Sequence, residues 1–118
     1  MRYAHALWLA GKRDTALIVF DEQLKEFERQ VRFRQTQSAG HFDYDIAGIY
    51  AVLGQKEKAY AHLRSFAQGG WPWGSLYLIN HDPFFDSMRN EKEFIDLVNA
   101  GREEKKKQRR EIQKLEHP

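Results

Sequence analysis

A single glycine, Gly54, separates two stretches in which apolar residues recur three and four positions apart. These stretches cover residues 46–53 and residues 59–67. Such spacing places apolar side chains on one face of an α-helix. Because glycine readily adopts the left-handed backbone that reverses a chain after a helix, Gly54 predicts a helix, a tight turn and a second helix. Asp43 or Asp45 is placed to cap the first of these helices.

The same pattern occurs 43 residues earlier in the chain, where Gly11 corresponds to Gly54. Seven positions pair at this offset: Tyr3, Ala4, Leu7, Ala10, Gly11, Ala16 and Phe20 with Ile46, Ala47, Tyr50, Leu53, Gly54, Ala59 and Leu63. We interpret the correspondence as an internal repeat of two helical hairpins. The apolar stripe after Gly11 predicts a long helix that reaches about Arg34, followed by a polar linker at residues 35–40.

The segment after the second hairpin contains two prolines, and residues before a proline are biased away from the helix, so we expect short turns here. Asp82 and Pro83 suit the start of a helical turn, and the spacing of Asp86 and Arg89 favours an ion pair. We expect the aromatic residues of this region to cover the end of the second hairpin rather than to form a ligand platform. They are Trp71, Trp73, Tyr77, Phe84 and Phe85.

Composition and charge exclude several classes of protein. With 42% hydrophobic and 14% aromatic residues, the chain is too apolar to remain disordered. It has no cysteine, no stretch long enough to span a membrane and no signal peptide, which predicts a cytoplasmic protein. Residues 1–100 hold 12 basic and 13 acidic residues, whereas residues 101–118 hold 7 and 4. Binding to nucleic acid would therefore depend on the C-terminal tail alone.

The sequence contains no recognisable catalytic motif. Its five histidines are scattered, and it has no glycine-rich phosphate loop. His41, Asp43 and Asp45 alternate, but helix capping explains these carboxylates more simply than a metal site does. We therefore predict that the protein is not an enzyme and binds no metal or cofactor.

The two hairpins resemble tetratricopeptide repeats, which have a small residue on the first helix, an aromatic residue three later, a glycine in the turn and an alanine on the second helix. The matching residues are Ala47, Tyr50, Gly54 and Ala59, and in the first hairpin Ala4, Leu7, Gly11 and Ala16. Residues 82–94 are similar to the segment that closes many bacterial tetratricopeptide proteins, through Asp82, Pro83, Phe85, Asp86, Met88, Arg89 and Phe94. The offset of 43 exceeds the usual repeat length of about 34.

The resemblance implies an all-α fold of antiparallel helix-turn-helix repeats, a two-repeat α-solenoid. It implies two hairpins in residues 1–70, an aromatic capping segment and closing helix in residues 71–100, and a charged helical extension in residues 101–118. It also implies a non-catalytic scaffold or adaptor, the C-terminal part of a larger bacterial regulatory or signalling protein.

Such a scaffold would bind a protein segment in its concave groove, which the first helix of each repeat lines. By that register the groove residues are Arg2, His5, Trp8, Leu9, His41, Tyr44, Asp45 and Gly48. This set contains no Lys/Asn clamp of the kind that holds a C-terminal carboxylate in chaperone-binding members of the family. We therefore predict no recognition of a C-terminal carboxylate.

The C-terminal tail leaves three interpretations open. A solvated helical extension is supported by Glu and Lys residues three and four apart. A homodimer through a coiled coil is the second, since Phe94, Val98, Ile112 and Leu115 share a heptad register that Gly101, Lys105 and Gln108 interrupt. The alternative function is binding to a polyanion, nucleic acid or anionic lipid, although interleaved glutamates and absent aromatics argue against base stacking. Its candidate residues are Lys105, Lys106, Lys107, Arg109 and Arg110.

Overall fold

The computed structural model describes residues 2–33, 42–71 and 74–116. Within these residues the protein is all-α, as predicted, with six α-helices, one 3-10 turn and no β-strand. The helices are α1 (Arg2–Leu9), α2 (Arg13–Phe33), α3 (Asp43–Val52), α4 (Lys56–Gln68), α5 (Ser75–Ile79) and α6 (Lys92–Glu116). The 3-10 turn Pro83–Phe85 lies between α5 and α6.

Two helical hairpins form the first part of the fold, because α1 packs against α2 and α3 packs against α4. Each hairpin reverses at a glycine with positive φ, 84° at Gly11 and 77° at Gly54. In the first turn the Lys12 N–H donates to the Leu7 carbonyl oxygen at 2.9 Å, and the equivalent bond from Gln55 has the same length. These bonds define a Schellman motif at the end of both α1 and α3. The prediction that the two glycines mark matching turns is confirmed.

Small side chains lie where the helices of the hairpins meet. Four alanines at equivalent positions are completely buried: Ala4, Ala16, Ala47 and Ala59. Phe20 and Leu63 are completely buried in the same apolar core. Alanine lets helix backbones approach closely, and the large side chains fill the space beside the contact.

The segment after α4 completes the core. The 3-10 turn packs against α3, and α6 packs against α4 and α5. Trp71, Phe84 and Phe85 are buried, so their predicted covering role agrees with the structure. Tyr77 does not share it, because it lies on α5 with 76% of its surface exposed. Trp73 lies outside the described residues.

One local prediction needs correction. The residue that precedes α3 is Phe42, which makes no side-chain capping bond, so neither Asp43 nor Asp45 caps the helix. Asp43 is instead the first helical residue and is buried. Helix α2 is described as far as Phe33, and both its predicted limit at about Arg34 and the predicted linker at residues 35–40 lie outside the described part of the chain.

The long helix α6 passes through Gly101 without a break. A Cβ atom at this position would lie 2.6 Å from Nε1 of Trp71 and 3.0 Å from Cδ2 of Leu76. The absence of a side chain therefore allows the Trp71 indole to contact the backbone of α6. Beyond this contact, α6 continues through the charged tail to Glu116, as the sequence predicts.

Replacing Gly54 with Ala should lower the free energy of unfolding by about 1–2 kcal/mol, because a Cβ is unfavourable in the left-handed region. Gly54→Asn should cost less, since Asn tolerates that conformation. Gln55→Ala is the matched control at the neighbouring exposed position and should leave stability nearly unchanged. Urea denaturation measures all three. Equal stability of Gly54→Ala and the wild type would contradict the assigned turn.

Replacing Gly101 with Ala should destabilise the protein. The reason is the 2.6 Å approach of the new Cβ to Trp71. At a solvent-exposed position inside a helix, the same replacement stabilises the helix by about 1 kcal/mol. Asn99→Ala, at an exposed position of α6, is the control and should be neutral or slightly stabilising. Thermal unfolding compares the two variants. A higher Tm for Gly101→Ala would show that Trp71 does not rest on α6.

Candidate functional site

The face of α1 and α3 predicted to form a groove is partly filled by the chain itself. The ring of Phe84 stacks on the ring of His5, with their centroids 4.5 Å apart. Phe84 also lies against Gly48, where an added Cβ would come within 3.3 Å of the Phe84 Cβ. Gly48 thus forms a notch in α3 that admits the Phe84 ring. Both His5 and Gly48 are buried in this packing.

A buried carboxylate holds the Phe84 ring in the notch. Asp82 accepts a hydrogen bond at Oδ2 from the Tyr44 hydroxyl at 2.8 Å and another at Oδ1 from the Phe84 N–H at 3.1 Å. The second bond caps the 3-10 turn, which confirms the capping role predicted for Asp82. The Tyr44 ring contacts Phe66 and Phe85 at centroid distances of 5.5 and 5.3 Å. Tyr44, a predicted groove residue, therefore anchors the turn to α3.

Arg89 fastens the same segment from the other side. It donates hydrogen bonds to the backbone carbonyl oxygens of Asp82 at 2.7 Å and Ile79 at 3.3 Å. It also forms an ion pair with Asp86, which confirms the pair expected from their spacing. The sequence did not reveal the two backbone acceptors, although an arginine that follows a turn is suited to bind exposed carbonyl oxygens.

An open cleft remains beside Phe84. Its volume is about 190 Å³, and its lining includes His5, Trp8, Leu9, Val52, Phe84 and Ser87. Three of the predicted groove residues, His5, Trp8 and Leu9, thus lie together here. Leu9 is 72% exposed, and Trp8 is half-buried with the Arg13 guanidinium 4.8 Å above its ring. The cleft is smaller than the roughly 300–1,000 Å³ of small-molecule sites. It can accommodate one apolar side chain.

The predicted groove residues of α3 are not among the described residues that line this cleft. Asp45 is half-buried on α3. Arg2 is the first residue of α1, but its side chain is not described, and His41 lies outside the described residues. The structure therefore brings together His5, Trp8 and Leu9 of α1, whereas Tyr44 and Gly48 of α3 contact the closing segment.

A polar network that the sequence analysis missed ties the start of α6 to α4. Glu91 binds the Lys56 Nζ at 2.5 Å through Oε2 and accepts from the Tyr60 hydroxyl at 2.5 Å through Oε1. Arg64 and Glu93 add a second bridge at 2.6 Å. The hydrogen bonds from Lys56 and Tyr60 lower the pKa of Glu91. Burial, followed by the bond to Glu91, raises the pKa of Tyr60.

A histidine–carboxylate pair links α3 to α4. Nδ1 of His62 lies 2.8 Å from Oδ1 of Asp43, and the Tyr50 ring stacks on His62 at a centroid distance of 5.7 Å. The other carboxylate oxygen, Oδ2, is buried and has no hydrogen-bond partner in the described part of the chain. No group of three metal-ligating side chains occurs among the described residues. Asp43 thus connects the first turn of α3 to α4.

The tail residues divide into two groups. Lys105 is half-buried and, with Trp71, lines a small depression beside Gly101. Lys106, Lys107, Arg109 and Arg110 are exposed.

The apolar residues of the predicted coiled coil likewise form a buried pair and an exposed pair. Phe94 and Val98 are buried in the chain's own core, so they are not available to a second copy. Ile112 and Leu115, 54% and 81% exposed, are the apolar residues left for the predicted homodimer.

Comparison with known proteins does not assign the chain to a family. No family model, no curated protein and no solved structure matches it. None of the helices in the described residues is both long enough and apolar enough to cross a membrane. A functional proposal therefore depends on the contacts and surfaces of this chain itself.

We expect stability to fall at both ends of the pH range because of Glu91 and Tyr60. A lowered pKa of Glu91 contributes stability above its ordinary value of 4.5, which is lost as the pH falls through the lowered value. A raised pKa of Tyr60 contributes stability below its ordinary value of 10.0, which is lost as the pH rises through the raised value. Urea denaturation across this range should show a plateau between the two ordinary values.

Glu91→Gln should flatten the acid flank of that profile, since it removes the titrating carboxylate. It should reduce the alkaline flank only in part, because burial remains the larger cause of the raised Tyr60 pKa. Glu57→Gln is the matched control, because Glu57 is exposed in the first turn of α4. Its profile should follow that of the wild type. Identical profiles for the two variants would show that the Glu91 network does not contribute to folding.

Proposed function

We propose that the protein is a non-catalytic interaction module, a scaffold or adaptor that binds a segment of another protein at the cleft beside Phe84. The observation that carries this proposal is the apolar cleft of about 190 Å³ between α1, the end of α3 and the closing segment, with the exposed Leu9 in its lining. A single exposed leucine is ordinary on a protein surface. An exposed leucine that adjoins a concave apolar surface is typical of an interaction site.

The rim of the cleft has the mixed polarity of a protein interface. Arg13 lies over the Trp8 ring, and Asp86 and Ser87 belong to the lining on the other side. The Ser87 hydroxyl donates to the Ala51 carbonyl oxygen at 3.4 Å, which connects the closing segment to α3 at the cleft. A partner that inserts one aliphatic or aromatic side chain would bury Trp8 and Leu9, and its flanking backbone would meet polar groups.

The proposal includes a finer description of the fold. We infer that α1–α2 and α3–α4 are two tetratricopeptide-like repeats of a short solenoid. Matching turns at Gly11 and Gly54 and completely buried alanines at equivalent positions support this inference. The first helix of each repeat lines the groove in that architecture. Because Phe84 occupies the notch in α3, the part of the groove that stays accessible lies between α1 and the end of α3.

A peptide-display selection on the full chain tests the proposed site. Peptides enriched on the wild type should share one large apolar residue, and Leu9→Asp should weaken their binding at least tenfold, about 1.4 kcal/mol. Tyr77→Asp is the matched control, because Tyr77 is equally exposed but lies on α5, outside the cleft. Its affinity should stay within about twofold of the wild type.

Two results would exclude this site. One is the failure of any peptide family to be enriched on the folded chain. The other is an equal loss of affinity in the two variants, which would show that binding depends on general surface charge and not on the cleft. Circular dichroism spectra confirm that both variants remain folded.

A further inference from the structure

The distal half of α6, residues 102–116, extends past the packed part of the molecule. Gly101 is the last buried residue of the helix, and of the residues that follow only Lys105 is half-buried. At 1.5 Å per residue, this segment is about 22 Å long. A macromolecule can therefore approach it along most of its circumference.

The helix brings together four cations that glutamates separate in the sequence. Successive residues turn by about 100°, so Arg102, Lys106, Arg109 and Arg110 share one face. We call these four cations the basic face; all four are exposed. Glu104 and Glu111, seven residues apart, lie on the opposite side, whereas Glu103 and Glu116 lie at the edges of the basic face.

The charges of the basic face are largely unpaired. Among the described residues, Arg102, Arg109 and Arg110 form no ion pair, and Lys106 meets only Glu103 at 3.4 Å. Arg102 and Lys106, and likewise Lys106 and Arg110, are like charges four residues apart. Such pairs destabilise a helix. A bound polyanion would replace this repulsion with attraction.

We propose that the basic face binds the phosphate backbone of double-helical DNA without sequence preference. An α-helix is about 10–12 Å wide with its side chains, and the major groove is about 12 Å wide. Residues 102–116 contain no aromatic side chain that could stack on unpaired bases, which disfavours a single strand. Residues 1–100 are close to neutral, so they do not repel the duplex.

An anionic membrane fits this segment less well. A helix that lies on a bilayer buries a broad apolar face in the headgroup region. Residues 102–116 offer only two large apolar side chains, Ile112 and Leu115. The basic residues therefore outnumber the groups that would enter the lipid.

Fluorescence anisotropy of the full chain with a labelled duplex of about 20 base pairs tests the proposal. Contact with four phosphates predicts a slope of about −3.6 for log K against log salt, or roughly a hundredfold loss between about 50 and 200 mM. Lys106→Gln with Arg110→Gln should weaken binding at least tenfold at the lower salt and halve the slope. The control variant, Lys12→Gln with Lys92→Gln, also removes two positive charges, from exposed positions outside the basic face. Its affinity for the duplex should differ less than twofold from that of the wild type.

The control variants make every outcome informative. An equal loss of DNA affinity in the two double variants would exclude the basic face as the site. A DNA affinity that does not change with salt concentration would exclude it as well. Tighter binding to vesicles that contain anionic phospholipid than to the duplex would assign the face to a membrane instead. Leu9→Asp should leave DNA binding unchanged, so failure here is distinguishable from failure of the peptide site.

Discussion

The insertion of Phe84 into the notch at Gly48 is the contact on which the arrangement of the other elements depends. It brings the 3-10 turn against α3 and reaches His5 on α1, so one side chain connects the closing segment to both hairpins. Tyr44 and the buried Asp82 fix the turn in that position. Asp82 is acceptable in the core because both carboxylate oxygens accept hydrogen bonds. The functional proposal follows from this contact, since Phe84 covers α3 at Gly48 and leaves open the cleft between α1, the end of α3 and the closing segment.

A second close contact positions the C-terminal helix. Trp71 lies on the backbone of α6 at Gly101, and the Glu91 and Glu93 bridges join the start of the same helix to α4. The proximal half of α6 is therefore part of the core, and its distal half extends from a fixed base. This division separates the two proposed surfaces, because residues of α1, α3 and the closing segment line the peptide cleft, whereas the basic face lies on residues 102–116.

The features that the sequence predicts are those with local causes. Gly11 and Gly54 end helices through the conformational freedom of a single residue, and Asp86 with Arg89 is a pair three residues apart. The apolar stripe of α2 predicts a long helix because periodicity is also local, and the structure is helical from Arg13 to Phe33. None of these predictions requires knowing which helices contact each other in the fold.

The features that the sequence does not predict depend on distant contacts. Tyr44 and Asp82 are 38 residues apart, and nothing near either residue indicates their bond. Gly48 was assigned to a partner-binding surface, although glycine within a helix also indicates a close approach by another part of the chain. Asp43 is the first residue of α3 rather than its cap, and its bond to His62 spans 19 residues. The exposure of the basic face depends on where α6 leaves the packed core, at Gly101, where the backbone of the helix contacts Trp71.

Nuclear Overhauser effects from the Phe84 ring in the isotopically labelled protein are the most direct measurement of the central contact. The structure predicts cross-peaks from the Phe84 ring protons to the Gly48 Hα protons and to the His5 ring, with the Gly48 Hα resonances shifted by the ring current. Cross-peaks to neither residue, with Gly48 resonances at ordinary helical positions, would contradict the account, because the face of α3 would then be open and the cleft beside Phe84 would not exist.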